Sequence, residues 1–216
     1  MEIDWHTIET NHPVLAAMPR TLQAAARLRP FKKGQALFHQ GERPANMLFV
    51  LSGEVRLVRR TFAGSEMILQ RGSTGFIAEA SLDTSTYHCD IVAASDGQLL
   101  LFPRSRFKTA LAQDAAFNQT WIDLLAAEVR RLRARCERLS LNSAADRVLH
   151  YLEAESKDGV VTLTQTRKAW AAELGLSHEV LYRTLRSLRE VGTIQIDGNR
   201  IALQSSLHRT PRKSHH

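Results

Sequence analysis

Between Gly175 and Gly192 the chain alternates two kinds of position at helical spacing. Leu181, Leu185 and Leu188 form one stripe, while Glu179, Tyr182, Arg183 and Arg186 fall at i, i+3, i+4 and i+7 on another. Ser177 stands where an N-cap belongs and Gly192 where a helix stops, so the pattern predicts a helix of about four turns with one buried and one polar face. Upstream, Thr166 to Leu174 reads as a second helix joined to the first by LGLS, and SAADRVLHYLEAES as a third. A turn at Lys157 to Gly159 and a short β run VVTLT separate them, and TIQIDGNRIAL supplies two β runs around Asp197-Gly198, a hairpin signal. Two helices crossing at a fixed angle need a small residue in the first, a turn that tolerates positive φ, and an apolar anchor in the second. Ala171, Gly175 and Leu181 occupy those places. An ordinary helical hairpin can show the same spacing, but the hairpin that follows completes a winged helix-turn-helix.

Earlier in the chain the period changes. From about Leu28 to Phe102, β-type runs (QALFHQGE, NMLFVLSGEVRLVRR, EMILQRG, CDIVAAS, QLLLFP) are cut by Gly34, Gly41, Gly53, Gly64, Gly72, Gly75 and Gly97, the spacing of a small antiparallel roll. Short helices at PVLAAM and TLQAAARL precede it. From Ala112 to Ser140 there is no Pro or Gly. There Ile122, Val129 and Cys136 alternate with Leu125, Leu132 and Leu139 on a seven-residue repeat, with branched residues at one seam position and Leu at the other. This predicts a two-stranded dimerisation helix; the alternative is a long helix packed on its own domain. The five arginines from Arg130 to Arg138 read as a solvated face beside that seam. The expected architecture is α+β: residues 1–111 a roll with N-terminal helices, which the resemblance given below makes effector-sensing, 112–141 the dimer helix, 142–205 the winged helix-turn-helix, and 206–216 a disordered tail.

Composition adds a direction. A hydrophobic share of 44% supports a core, and a net charge of +7 with the excess on both sides of Ser143 favours a polyanionic partner. There is no run of about 18 apolar residues and no charged-then-apolar leader, so a cytoplasmic protein with no membrane partner is expected. Two cysteines, Cys89 and Cys136, make no disulfide framework, and no spacing suggests structural zinc. Within the winged motif, Glu179 can accept from a cytosine amino group and Arg183 can donate bidentately to guanine; the alternative is an intrahelical ion pair. Arg167, Lys168 and the Ser177 hydroxyl suit phosphate contacts that set register.

The order of roll, long helix and winged helix resembles the catabolite activator and fumarate-nitrate regulator (Crp/Fnr) superfamily of bacterial transcription factors. The matching residues are GQALFHQGE and LFVLSGEVRLV in the roll, GFIAEASL at the pocket, NSAADRVLHYL at the hinge and TRKAWAAELGLSHEVLYRTLRSL in the helix-turn-helix. The resemblance implies a cyclic-nucleotide-binding-like roll and an operator-binding homodimer, with palindromic double-stranded DNA and RNA polymerase as partners. It puts the family's Glu and Arg of the recognition helix on Glu179 and Arg183, with His178 and Tyr182 at positions that read outer bases. In the effector pocket it keeps a carboxylate at Ala78-Glu79, but His88-Cys89 replaces the Arg-Ser of cyclic-nucleotide binders and Arg135-Cys136 replaces a Thr-Ser pair. These departures argue against cyclic AMP, and leave the cofactor, any metal and the effector unknown. The same carry-over puts Cys89 and Cys136 at one pocket with His88 and Arg135, where cationic neighbours would lower a thiol pKa and allow redox, persulfide or soft-metal sensing; the alternative is two inert thiols. No enzyme is expected. Two other readings compete: a nucleotide-sensing roll that signals through protein partners, and a cupin-like metalloenzyme, for which the strands offer only His39 and His88.

Overall fold

A computed structural model describes residues 3–60, 66–163 and 165–204. The expected disordered tail at 206–216 and the turn glycine Gly64 lie outside these residues. The chain divides into two units, Met1–Leu124 and Leu125–His216.

The first unit opens with α1 (Trp5–Asn11), capped by the Asp4 carboxylate on the Thr7 amide, a 3-10 turn at Pro13–Leu15, and α2 (Arg20–Gln23). Eight strands follow: β1 (Arg27–Phe31), β2 (Ala36–Phe38), β3 (Asn46–Ser52), β4 (Val55–Arg60), β5 (Glu66–Gly72), β6 (Gly75–Ile77), β7 (Asp90–Ala93) and β8 (Gly97–Pro103). They form two antiparallel four-stranded sheets, β1-β8-β3-β6 and β2-β7-β4-β5. Period-two alternation turns Leu48, Val50, Val55, Leu57, Ile91 and Leu99 into a shared core between the sheets. A second layer of rings, Phe49, Phe76, Phe102, Phe107, Phe117 and Trp121, seats the helices on the outer face of the first sheet.

The long helix begins later than the sequence suggests. Arg104–Gln113 is a separate helix, α3, and the chain turns extended at Asp114 (φ −116°) before α4 (Ala115–Ser140, 26 residues). The cause is local: the Asp114 carboxylate accepts from the Phe117 amide at 2.9 Å and caps α4, a role the Pro/Gly-free pattern does not reveal.

In the second unit α5 (Ala144–Glu155) starts at Ser143, whose hydroxyl accepts from the Asp146 amide. β9 (Val160–Thr162), α6 (Arg167–Glu173), α7 (His178–Glu190), β10 (Ile194–Asp197) and β11 (Arg200–Leu203) complete it. The three strands pair antiparallel in the order β10-β11-β9. Val148, Leu152, Trp170, Leu174, Leu181 and Ile201 make a core of their own. α7 ends as expected: the Thr193 amide reaches back to the Leu188 carbonyl at 2.9 Å and Gly192 takes φ +76°.

Candidate nucleic-acid interface and effector region

The helix-turn-helix geometry forms as the spacing requires. Ala171 is 1% exposed where α6 and α7 cross, Gly175 adopts φ +66° in the turn, and Leu181 is fully buried. A Cβ at Gly175 would lie 2.9 Å from a Leu139 methyl and 3.1 Å from an Arg147 nitrogen, so both backbone conformation and space call for glycine. Ser177 caps α7, its hydroxyl accepting from the Val180 amide at 3.2 Å.

Burial of Leu181, Leu185 and Leu188 forces the opposite face of α7 outward. His178, Glu179, Tyr182, Arg183 and Arg186 are all exposed, Tyr182 by 59%. His178 and Tyr182 meet edge to face with ring centres 4.9 Å apart. Arg186 is engaged in an exposed pair with Glu190 at 2.7 Å. Glu179 and Arg183, by contrast, make no ion pair with each other among the described residues. The face therefore offers an acceptor and a bidentate donor one turn apart, with neither neutralising the other.

Lys168 is exposed, but Arg167 is not the free cation the sequence suggests. Its guanidinium lies 5.6 Å from the Trp170 ring centre and donates to the Gly198 carbonyl at 2.8 Å. Burial pulls its pKa below the ordinary guanidinium value, with the neighbouring Tyr182 acting the other way. The arginine expected on phosphate is tied to the wing.

Two arginines that the sequence reading did not single out join the last turn of α4 to this motif. Arg138 is not part of a solvated face: it is 2% exposed, stands 4.7 Å above the Tyr151 ring, and has Glu155 and Glu173 each 3.9 Å away. Arg147 spreads its fork over four carbonyls, those of Leu139, Leu141, Leu174 and Gly175, at 2.8 to 3.3 Å. Arg147 lies within the hinge segment, but nothing local in the sequence says that its partners are main-chain carbonyls.

Along α4, Ile122, Val129, Leu132 and Leu139 are 48, 45, 48 and 40% exposed, Leu125 is half-buried, and Cys136 is exposed. Among the described residues the apolar stripe is largely uncovered, with Leu125 half-buried and Leu139 lying over Gly175.

In the roll, Ala78 takes the left-handed conformation (φ 61°, ψ 34°) just before Glu79, which begins a 3-10 turn to Asp83. Glu79 and His88 are half-buried, and the Arg59 guanidinium donates to the His88 carbonyl at 2.9 Å. Cys89 is 1% exposed within the roll core. Of the two readings left open for this thiol, the inert one fits its setting: burial pushes the thiol pKa up, Arg59 only partly opposing and Asp90 adding to the rise. Arg135, half-buried, and Cys136 belong to the second unit. No three of His, Cys, Asp and Glu gather as a metal-ligand set among the described residues, and exposed His39 faces Asp90 at 3.7 Å. No helix among the described residues is long and apolar enough to cross a membrane.

Comparison with known proteins agrees with this geometry. A cyclic nucleotide-binding domain model matches residues 28–114, and a Crp-like helix-turn-helix domain model matches residues 146–205. The cyclic AMP receptor protein of Thermus thermophilus is 29% identical over 171 residues, covering 78% of this chain and 79% of that one. The transcriptional activator protein anr of Pseudomonas aeruginosa is 26% identical over 193 residues, covering 83% and 77%. The structure of FixK2 from Bradyrhizobium japonicum shares the fold, with a TM-score of 0.63 at 22% identity over 83% of this chain and 92% of that one. The Pseudomonas aeruginosa relative is by name a transcriptional activator. With a nucleotide-binding-type roll, a 26-residue helix and a Crp-like helix-turn-helix in that order, the chain belongs to the Crp/Fnr superfamily and is a DNA-binding transcription regulator of that type.

Proposed function

We propose that the chain acts as a cytoplasmic homodimer that reads a palindromic operator and contacts RNA polymerase, under the control of an effector other than cyclic AMP sensed by the roll. The observation that carries DNA reading is the recognition face, where Glu179 and Arg183 stand exposed one turn apart without pairing. Arg183 donates to a guanine and Glu179 accepts from a cytosine amino group, His178 and Tyr182 meet the outer bases, and Lys168, the Ser177 hydroxyl and Arg186 lie toward the backbone. Dimerisation rests on the stripe Ile122, Leu125, Val129, Leu132, Cys136 and Leu139: branched residues and leucines at heptad spacing on an uncovered face fit a second copy of the same helix.

The effector reading rests on the roll's own groups. Glu79 remains a carboxylate at the mouth of the 3-10 turn, but the cationic group that a cyclic phosphate needs is replaced by His88, and the next position is the core thiol Cys89. The relative in Thermus thermophilus carries cyclic AMP in its name; His88 and Cys89, standing where the resemblance expects Arg and Ser, support a different effector for the present chain.

Binding is tested by selecting duplexes from a random pool, then measuring affinity for the enriched duplex and a scrambled one across a salt series. A palindromic core with C and G at symmetric positions, and a log affinity that falls linearly with log salt, is the expected result. Equal affinity for both duplexes at every salt concentration overturns the reading. Differential calorimetry of the same protein with cyclic AMP should show no rise in melting temperature; a rise that grows with ligand concentration overturns the effector assignment.

A further inference from the structure

The wing is short, and its sheet stops before its tip. The ladder runs Ile194↔Leu203 to Asp197↔Arg200 on one side and pairs Arg200 with Thr162 on the other, leaving Gly198 and Asn199 as the two-residue turn, with Gly198 at φ +54°. Both tip carbonyls are nevertheless held from the segment that enters α6. The Leu163 amide donates to Asn199 at 2.9 Å, and the Arg167 guanidinium donates to Gly198 at 2.8 Å. Arg167 is itself fixed, lying 5.6 Å from the centre of the fully buried Trp170 ring. A planar donor stacked on one helix and bonded to a turn carbonyl restrains the turn, because its own rotamer is already restricted.

We propose that Arg167 is a positioning residue that clamps the wing tip against the helix-turn-helix, so that Arg200 reaches the DNA backbone as a second contact, and that Arg167 itself does not bind phosphate. Arg200 is exposed at the base of the tip, and makes no ion pair among the described residues although Asp197 stands opposite it in the ladder. The inference rests on the chain being a DNA-binding regulator, and its test separates the two ideas.

In the free full-length protein, Arg167→Met keeps an apolar stem over Trp170 and removes the donor. Amide exchange at residues 195–201 should speed up about tenfold or more while α7 keeps its protection; unchanged exchange at the wing overturns the clamp whether or not DNA binds. On the selected operator, Arg167→Met and Arg200→Ala should each weaken binding about tenfold, and the double variant about tenfold as well, since the second change removes a contact already lost. Independent contacts add in free energy, so a loss near a hundredfold in the double variant assigns Arg167 its own phosphate and overturns the proposal. Should Arg167→Met lower the melting temperature of the whole chain, Arg167→Lys supplies the same test: it keeps the charge, so a phosphate role predicts near-normal binding and a normal salt slope. The clamp predicts weakened binding with faster wing exchange.

Discussion

Replacing Arg183 with alanine separates recognition from stability, because no hydrogen bond or ion pair holds its guanidinium among the described residues. It is exposed on α7, its neighbour Glu179 does not pair with it, and the helix is anchored from its other side by Leu181, Leu185 and Leu188. Alanine is also the stronger helix former, so the melting temperature should stay within about 2 °C of the parent, on a helix-propensity difference of only a few tenths of a kcal/mol. Affinity behaves differently. A bidentate arginine–guanine contact discriminates by about 1 to 3 kcal/mol, and a dimer makes it twice, so the operator should bind about 30-fold or more weaker. The assay is competition anisotropy at fixed salt with the parent operator, variants at each symmetric base pair, and a scrambled duplex. Arg183→Ala should flatten the preference at one symmetric pair and leave the others in place. An equal loss on operator and scrambled duplex would mean that Arg183 is only a point charge. A drop in melting temperature matching the affinity loss would mean that the residue is structural, and either result refutes base reading.

Leu132→Asp sets a carboxylate in the middle of the α4 stripe and should leave the protein monomeric at micromolar concentration in sedimentation velocity; a stable dimer removes the seam assignment. Gly175→Ala forces a side chain into φ +66° and against Leu139 and Arg147, costing about 1 to 2 kcal/mol, read in urea melts, where no change in midpoint contradicts the strained turn. In a Cys136→Ser background, which removes the exposed thiol, Cys89, buried with its thiol pKa pushed up, should react with maleimide only as fast as the roll unfolds, whereas prompt labelling of Cys89 in the native protein would return it to the sensor thiols. Tyr87 and Tyr151 are both held protonated by burial, with pKa values pushed up from 10.0 to about 12. Because these are acids with raised folded values, their contribution is complete below pH 10 and is lost as pH rises from 10 towards 12, on the order of 2 to 3 kcal/mol each. Urea midpoints should therefore fall over that range, and Tyr87→Phe should shrink the fall; a flat profile counts against the assignment.

What could be read from the sequence follows from the range of each interaction. The recognition helix announced itself through Ser177, three leucines and Gly192, all local, and the turn through Gly175, because a positive φ admits few residues. The strands of the roll were legible for the same reason, with glycines at their turns and alternation between them. Asp114 was missed since capping depends on where a helix begins, and a Pro/Gly-free run from Ala112 to Ser140 looks continuous whether or not a carboxylate divides it from the helix before. Cys89 shows the limit in another form. Its neighbours in sequence, His88 and Asp90, suggest a charged setting, but Cys89, just before β7, is buried in the roll core with Ile91, and burial then dominates the thiol's pKa.

The arginines carry this furthest. Arg138, Arg147, Arg167 and Arg183 look alike in a basic chain, and net charge alone would send all four to DNA. The fold gives them four different partners: a tyrosine ring between two glutamates, a set of main-chain carbonyls, a wing carbonyl beside a tryptophan, and open solvent. The first three are partly or wholly desolvated, and each guanidinium is engaged by neighbours, Arg138 by a ring and two carboxylates, Arg147 by carbonyls, Arg167 by a ring and a carbonyl, so each holds segments of chain together. Only the exposed one keeps its donors for a base. Arg138 and Arg147 both fasten the end of α4 to the helix-turn-helix, through α5 and α6 and through the turn, and Arg167 fastens the wing. The recognition face of α7 is thus presented on a scaffold braced by the same residue type that reads the DNA, and burial rather than charge decides which arginine does which.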